Sequence, residues 1–213
     1  MLRRGGNIVA AMQKKLPQPM RPSGTVGKVF GWIMARINAP SYRWTVEQLK
    51  PVQPKSFLEI GFGTGHLLAL VAKTFKPAKI AGVDPSPLMV ETARKRLRRF
   101  RKKMQIELKQ GDDTTLPKDG PYDAIAALHC FQFWAHPATS LAEIRHLLSP
   151  NGRFVLVLRV GFSRRVAKEI PNPISREPNE ISEVCKAAEQ AGFVILAMRG
   201  LSKTSHGIVL GCG

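Results

Sequence analysis

The sequence predicts an α/β domain with a mostly parallel sheet and helices on both faces, preceded by a short helical cap. Apolar segments of strand length alternate with helical segments from residue 56 onward. Such alternation gives right-handed crossovers and therefore parallel strands. The first predicted strand ends in a glycine-rich turn, which is typical of these sheets. The length of 213 residues and the 44% hydrophobic content suit one domain with a short extension.

The first quarter of the chain has a different character. Glycines, prolines and basic residues near the start predict an irregular arm. Apolar residues at helical spacing over 29–37 predict a helix that ends before Pro40, and a second short helix is expected over 44–49. The predicted arm, helical cap and main domain cover residues 1–27, 28–54 and 55–213.

The main domain contains seven predicted strands and four predicted helices. The strands are expected at 56–60, 79–83, 104–108, 122–128, 153–158, 193–198 and 206–210. The helices are expected at 67–75, 86–99, 137–148 and 180–191. Apolar runs bounded by turn residues indicate the strands, and apolar residues recurring at helical spacing indicate the helices. The stretch over 161–178, which is rich in arginine and proline, is expected to be a loop.

The charge balance is strongly basic. Lysine and arginine number 33 against 15 aspartate and glutamate residues, which gives a formal net charge of +18. Such a surface attracts nucleic acid, anionic membranes or anionic small molecules, although a solvated basic surface with no dedicated partner is an alternative. Residues 94–103 include eight cations, which could form a polyanion footprint or only the solvent face and C-terminal end of a helix. The acid-free first 46 residues could also be an organelle-targeting segment.

Cysteine usage and hydropathy indicate the compartment. Cys130, Cys185 and Cys212 are widely spaced, so neither a disulfide framework nor a Cys-x-x-Cys metal site is expected. No run of about 18 uncharged apolar residues is present, which argues against a membrane-spanning helix. The expected location is the reducing cytoplasm, and no metal is expected.

Glycines and acidic residues follow the first three predicted strands. The first turn contains Glu59-Ile-Gly-Phe-Gly-Thr-Gly65, whereas a dinucleotide site would have glycine or alanine in place of His66. Asp84 ends the second strand, and Gly111-Asp112-Asp113 follows the third. Carboxylates at neighbouring strand ends can accept hydrogen bonds from an amine, a ribose and an adenine. The expected ligand is therefore a nucleoside with cationic groups and no phosphate.

These motifs, together with Tyr122-Asp123 and the segment over 148–154, resemble the class I S-adenosylmethionine-dependent methyltransferases. The resemblance covers about residues 28–160 and includes a segment like 38–44 before the first strand. It implies a Rossmann-like sheet of seven strands in the order 3-2-1-4-5-7-6, with the last strand antiparallel. It also implies S-adenosylmethionine as the methyl donor and S-adenosylhomocysteine as its product.

The resemblance implies a role for each motif. The glycines would approach the methionine part of the donor, Asp84 would hold the ribose, and Asp112 would accept from the adenine amine. The full set of expected cofactor contacts is Glu59, Gly61, Phe62, Gly63, Gly65, Asp84, Pro85, Met89, Asp112, Asp113 and His129. Structural alternatives remain: Asp84 could cap a helix, Glu59 could accept from loop amides, and Met89 could belong to the core.

Residues near the fourth strand bear on the acceptor. His129 is the candidate general base because an ordinary histidine titrates near neutral pH, although it could equally be structural, and His66 is a second candidate. Tyr42, Trp134 and Arg159 are the expected substrate contacts. Aromatic residues over 131–134 predict an apolar wall beside a small acceptor, or else core. Cys130 lacks the Pro-Cys or Thr-Cys pair typical of a cytosine-methylating nucleophile.

Three functional hypotheses follow. The first is methyl transfer to a small molecule by in-line displacement. The second is methyl transfer to RNA or another polyanion, and the third is a non-catalytic nucleic-acid-binding protein with the same fold. Intact glycines and carboxylates make the third the least favoured, and the absence of the aromatic motif typical of base-amine methylation favours the first.

Overall fold

A computed structural model describes residues 36–213, which form one seven-stranded sheet. The strands are β1 (Ser56–Ile60), β2 (Lys79–Asp84), β3 (Gln105–Gln110), β4 (Tyr122–Leu128), β5 (Leu148–Arg159), β6 (Phe193–Ser202) and β7 (Ser205–Cys212). Their order is β3-β2-β1-β4-β5-β7-β6. The pairs among β1 to β5 are parallel, and β7 runs antiparallel to both β5 and β6. The strand order and the antiparallel last strand expected from the resemblance are confirmed.

Helices cover both faces of the sheet. They are α1 (Ala39–Leu49), α2 (His66–Thr74), α3 (Pro87–Leu97), α4 (Pro137–Leu147), α5 (Arg164–Glu169) and α6 (Glu180–Gln190). Apolar residues of α1, α2 and α3 pack on one face, and those of α4 and α6 pack on the other. A hydrophobic core lies on each face of the sheet, and successive residues of β1 pack into them alternately. Phe57 packs on the α1 side and Leu58 on the α4 side. Central parallel strands are therefore apolar on both faces.

The sequence predictions agree with these elements at most positions. The bounds predicted for β1 and β4 match the structure at both ends, and the helices α2, α3, α4 and α6 start or end within about two residues of their predicted bounds. The predicted basic arm, and all but the last two residues of the first predicted cap helix, lie outside the described residues.

Three sequence expectations were wrong in detail. The second cap helix begins at Ala39 rather than at residue 44, with Pro40 in its first turn, where proline needs no amide hydrogen bond. The predicted loop over 161–178 contains α5 and a 3₁₀ turn at Ile174–Arg176. Strand β5 begins at Leu148, which pairs with Tyr122 of β4, and the register shifts over the predicted Ser-Pro-Asn-Gly turn before pairing resumes at Arg153.

The carboxyl ends of β1 to β5 lie along one edge of the sheet, since these strands are parallel. This edge carries the glycine-rich turn, the acidic residues after β2 and β3, and the loop after β4. Over residues 36–213, no helix is long and apolar enough to cross a membrane. The same part of the chain has no cluster of histidine, cysteine or acidic residues arranged to hold a metal ion.

Candidate cofactor-binding site

The turn after β1 contains three glycines with positive φ angles, of +71° at Gly61, +54° at Gly63 and +73° at Gly65. A Cβ at Gly61 would lie 2.8 Å from the Cβ of Cys130, and one at Gly65 would lie 2.8 Å from the Cβ of Ala93. A Cβ at Gly63 would meet no atom within 4 Å. Two of the glycines therefore permit close packing of the turn, whereas Gly63 borders open space that a ligand could enter.

Asp84 connects the end of β2 to this turn. Its Oδ2 accepts a 2.7 Å hydrogen bond from the Gly63 amide, and its Oδ1 accepts a 2.9 Å bond from the Ser86 amide. Burial raises the pKa of Asp84 to about 6, although both amide hydrogen bonds act in the opposite direction. The side-chain cap of α3 is the Ser86 hydroxyl, which accepts from the Met89 amide. The alternative in which Asp84 caps that helix is therefore excluded by the structure.

Glu59 lies beneath the turn and is only 2% exposed. Burial raises its pKa well above the ordinary value, and the charge of Asp84 adds to this, whereas the Leu68 backbone amide lowers it. The Oε2 atom has no hydrogen-bond partner. A buried acceptor without a donor costs about 1–3 kcal/mol, so an amine or a water at this place would relieve a real cost. This orphaned oxygen fits a ligand that carries an amino group.

The two aspartates after β3 have different surroundings. Asp112 is exposed, and its Oδ1 accepts from the amide and the hydroxyl of Thr114 at 3.0 and 2.6 Å. Asp113 is buried, and its Oδ2 accepts a 2.6 Å hydrogen bond from the Ser140 hydroxyl on α4. Burial raises the pKa of Asp113. Asp112 is thus the residue that remains accessible at the end of β3, while Asp113 joins this strand end to α4.

Cys130 lies among the acidic residues of the site. Its thiol donates to the Ile60 carbonyl at 3.3 Å. Burial raises the pKa of the thiol far above its ordinary value, and the charges of Asp113, Glu59 and Asp84 raise it further. A thiol that stays protonated is a poor nucleophile, which agrees with the sequence argument against a cytosine-methylating role.

His129 follows β4 and adopts a φ of +56°. Its Nε2 lies 3.2 Å from the Ser41 hydroxyl of α1, and its buried Nδ1 has no partner. Burial lowers its pKa to about 4, and the positive charge of Arg159 contributes to the shift. The ring is therefore neutral at physiological pH and a weak base. The expectation of a pKa near neutrality was wrong because it ignored burial and this neighbouring cation.

Comparison with known proteins supports one family. A family model described as a methyltransferase domain matches residues 58–154. This match and the sheet order support a class I S-adenosylmethionine-dependent methyltransferase. The uncharacterized methyltransferase YdaC of Bacillus subtilis (strain 168) is 28% identical over 62% of this chain and 71% of its own length. A malonyl-[acyl-carrier protein] O-methyltransferase of Halalkalibacterium halodurans is 35% identical over 47% of this chain.

The second relative is much longer than the matched region, because the match spans only 37% of its length. Among solved structures, an S-adenosylmethionine-dependent methyltransferase from Clostridium acetobutylicum superposes with a TM-score of 0.67 at 12% identity. That superposition covers 87% of this chain and 98% of the other. It establishes the shared fold.

The cap of the methyltransferase lies against the glycine-rich turn. The ring of Tyr42 on α1 stacks parallel to that of His66, with ring centres 6.2 Å apart. Burial raises the pKa of Tyr42 to about 12, and the charge of Glu59 adds to the increase. Tyr42, which was expected to contact substrate, lies beside His66 and near Glu59. Arg159, the third expected substrate contact, donates to the Asn38 side chain at 3.5 Å and so connects β5 to the start of the cap.

Arg96 was not predicted to lie near the site. Its Nε donates a 2.8 Å hydrogen bond to the Thr64 carbonyl in the glycine-rich turn. The cation-rich segment over 94–103 was expected to form a polyanion footprint or the solvent face and C-terminal end of a helix. The missed signal is helical spacing: Arg96 follows Ala93 by three residues, and Ala93 packs against Gly65.

Several predicted contacts are core residues. Trp134 is 2% exposed and packs against Phe131, with ring centres 5.1 Å apart. The core alternative is confirmed for Trp134, because its ring packs in the α4-side core after the 3₁₀ turn at Phe131–Phe133. Its expected contact with substrate is therefore wrong. Phe62 and Met89 are also buried, and the Phe62 ring occupies the space beside Gly82. Pro85 is half-buried beside Asp84.

Proposed function

We propose that the protein binds S-adenosylmethionine at this edge of the sheet and transfers its methyl group to a small-molecule acceptor. The observation that supports this most strongly is the orphaned oxygen of Glu59 beneath a glycine turn that borders open space at Gly63. When bound, the cofactor supplies a methyl group on a positively charged sulfur, which is already activated for in-line displacement.

Each side chain has a separate binding task in this proposal. Asp84 accepts from the ribose hydroxyls, and its carboxylate has lone pairs left after the two amide bonds. Glu59 accepts from the amino group, which removes the cost of its unpaired oxygen. Asp112 accepts from the adenine amine at the accessible end of β3. Acidic residues thus hold a ligand that has amines and no phosphate.

Catalysis requires little covalent help from the protein. Positioning the reacting groups and excluding water lower the barrier by several kcal/mol. The cap supports both functions, since Ser41 contacts His129 and Tyr42 covers His66. His129 is neutral at physiological pH, so its proposed role is to position the cap over the site rather than to remove a proton.

Part of the cation-rich segment is engaged within the protein, which favours a small acceptor over a polyanion. Arg94 donates to the Leu108 carbonyl, Lys95 pairs with Glu91, and Arg96 donates to the Thr64 carbonyl. The second candidate is transfer to RNA, because the cations at 98, 99 and 101–103 remain exposed. This cluster suits phosphate contacts that carry no sequence information.

The test is methyl transfer from tritiated S-adenosylmethionine to cell extracts separated into RNA, lipid, protein and small-molecule fractions. Label in the small-molecule fraction supports the proposal, whereas label confined to RNA supports the second candidate. Asp84→Ala is the negative control, because it removes the proposed ribose acceptor. Transfer that is undiminished in this variant would contradict the proposed site.

A further inference from the structure

A cavity of about 570 Å³ opens beside the end of β5, and none of the predicted substrate contacts lines it. Its walls come from residues 160–162 after β5, from Ala167 on α5, and from residues 175–182 at the start of α6. Pockets for small ligands have volumes of roughly 300–1,000 Å³, so this cavity is large enough for a small organic molecule.

The segment that precedes residues 175–182 of the cavity wall is hydrogen-bonded to the loop after β4. Asn172 is fully buried, and its side-chain amide donates to the Phe131 carbonyl at 2.7 Å. Its oxygen accepts from the Ile174 amide at 3.0 Å. Gln132 in the same loop donates to the His129 carbonyl at 2.8 Å. The loop after β4 thus links the segment that precedes this part of the cavity wall to His129.

Two buried polar groups are neighbours on the cavity wall. Glu180, in the first turn of α6, is 6% exposed, and Ser175 is 3% exposed. Neither the Glu180 Oε1 nor the Ser175 hydroxyl has a hydrogen bond of good geometry in the described chain. Burial raises the pKa of Glu180 to about 7, and a weaker hydrogen bond from the Ser175 hydroxyl lowers it. A hydroxyl supplies one donor and a carboxylate can accept several, so Glu180 can still accept from a ligand in the cavity.

The charged residues of the cavity wall indicate the charge of the ligand. Three charged residues line the cavity: Arg176, Glu177 and Glu180. The Arg176 guanidinium is engaged with the carbonyls of Ile170 and Pro171. The two carboxyl groups outnumber the one cation among the lining residues, in a chain of net charge +18. Apolar side chains complete it, namely those of Val160, Phe162, Ala167 and Ile181.

We infer that this cavity is the acceptor pocket and that it binds an acceptor with an apolar body and a protonated amine, which pairs with the Glu180 carboxylate. The inference depends on the proposed function, since it assigns the acceptor class of the same methyltransferase. A charge-assisted hydrogen bond to a buried carboxylate is stronger than a neutral one, and Ser175 can accept from the same amine.

Two probes of similar size and opposite charge test this inference: 2-phenylethylamine and 3-phenylpropionate. Each is titrated into the 213-residue chain by calorimetry, with amide chemical shifts used to locate binding. We expect the amine to bind at least about tenfold more tightly than the carboxylate and to shift the amides of Gly161, Ser175 and Ile181. Glu180→Gln should remove that preference.

Glu183→Gln is the matched control. Glu183 lies on the same helix but pairs with Lys186 and does not line the cavity, so this variant should keep the preference for the amine. Equal binding of the two probes, absence of binding, or unchanged amine binding in Glu180→Gln would overturn the inference. Thermal unfolding of each variant verifies that it folds.

A parallel titration with S-adenosylmethionine separates this inference from the proposed function. The wild-type protein, Glu180→Gln and Glu183→Gln should bind the cofactor with equal affinity, because neither Glu180 nor Glu183 is among the proposed cofactor contacts. If the cofactor binds and the amine does not, only the pocket inference fails. If the wild-type protein does not bind the cofactor, the proposed function fails, whatever the amine does.

Discussion

Substituting Gly63 by alanine separates the binding role of the glycine turn from its structural role. A Cβ at this position would meet no protein atom within 4 Å, so the added methyl group causes no overlap in the free protein. It would extend into the open space that the cofactor is proposed to occupy. We therefore expect Gly63→Ala to fold and to lose most of its affinity for S-adenosylhomocysteine.

The expected stability cost is small. The φ of Gly63 is +54°, where an alanine is strained by about 1–2 kcal/mol. Gly61→Ala and Gly65→Ala add overlap with Cys130 and Ala93 respectively, and overpacking of this kind costs a further 1–3 kcal/mol or so. The loss of cofactor affinity in Gly63→Ala should be at least about tenfold, or ~1.4 kcal/mol.

Chemical denaturation and calorimetry measure the two effects. The matched control is Gly192→Ala, because Gly192 has a φ of +84° and also has room for a Cβ but lies between α6 and β6. This control should show a similar stability cost and unchanged cofactor affinity. Equal cofactor affinities for Gly63→Ala, Gly192→Ala and the wild-type protein would refute the reasoning.

Three further predictions concern single side chains. Asp84→Ala should weaken cofactor binding at least about tenfold by calorimetry, because two charge-assisted hydrogen bonds are lost, and an unchanged affinity would remove the ribose assignment. Cys130 should react with iodoacetamide far more slowly than Cys185, since burial and three acidic neighbours keep the Cys130 thiol protonated. Mass spectrometry measures the two rates, and the opposite order would contradict this prediction. His129 favours its neutral form in the fold, so its contribution to stability is present above pH 6.5 and is lost as the pH falls towards 4. Over that range the wild-type protein should lose up to ~3 kcal/mol more stability than His129→Asn, and parallel pH profiles would be inconsistent with the buried neutral ring.

The fold could be predicted closely because its signals are local. Strand β4 is apolar at nearly every position and bounded by turn residues, and α4 has proline in its first turn, so both were identified almost exactly. The cap was harder to predict. Residues 36 and 37 are helical and Asn38 is a turn, so the expected helix end before Pro40 is confirmed. Pro40 also lies in the first turn of α1, which starts five residues before the predicted residue 44, and a single sequence does not reveal that second role.

The positions of the site residues were more predictable than their environments. Glu59, Asp84 and Asp112 follow from strand ends, which parallel topology brings to one edge. The environment of His129 depends on Ser41 and Arg159, which are distant in sequence, so its low pKa could not be anticipated. Burial of Trp134 likewise depends on a 3₁₀ turn that carries no distinct sequence signal.

The central claim is that acidic residues at neighbouring strand ends bind a nucleoside without phosphate. The most direct measurement is a calorimetric titration of the wild-type protein with S-adenosylhomocysteine and, separately, with NAD. Saturable binding of S-adenosylhomocysteine at a single site, with no detectable binding of NAD, is the predicted result. Binding of NAD at this edge, or failure of S-adenosylhomocysteine to bind, would contradict the claim.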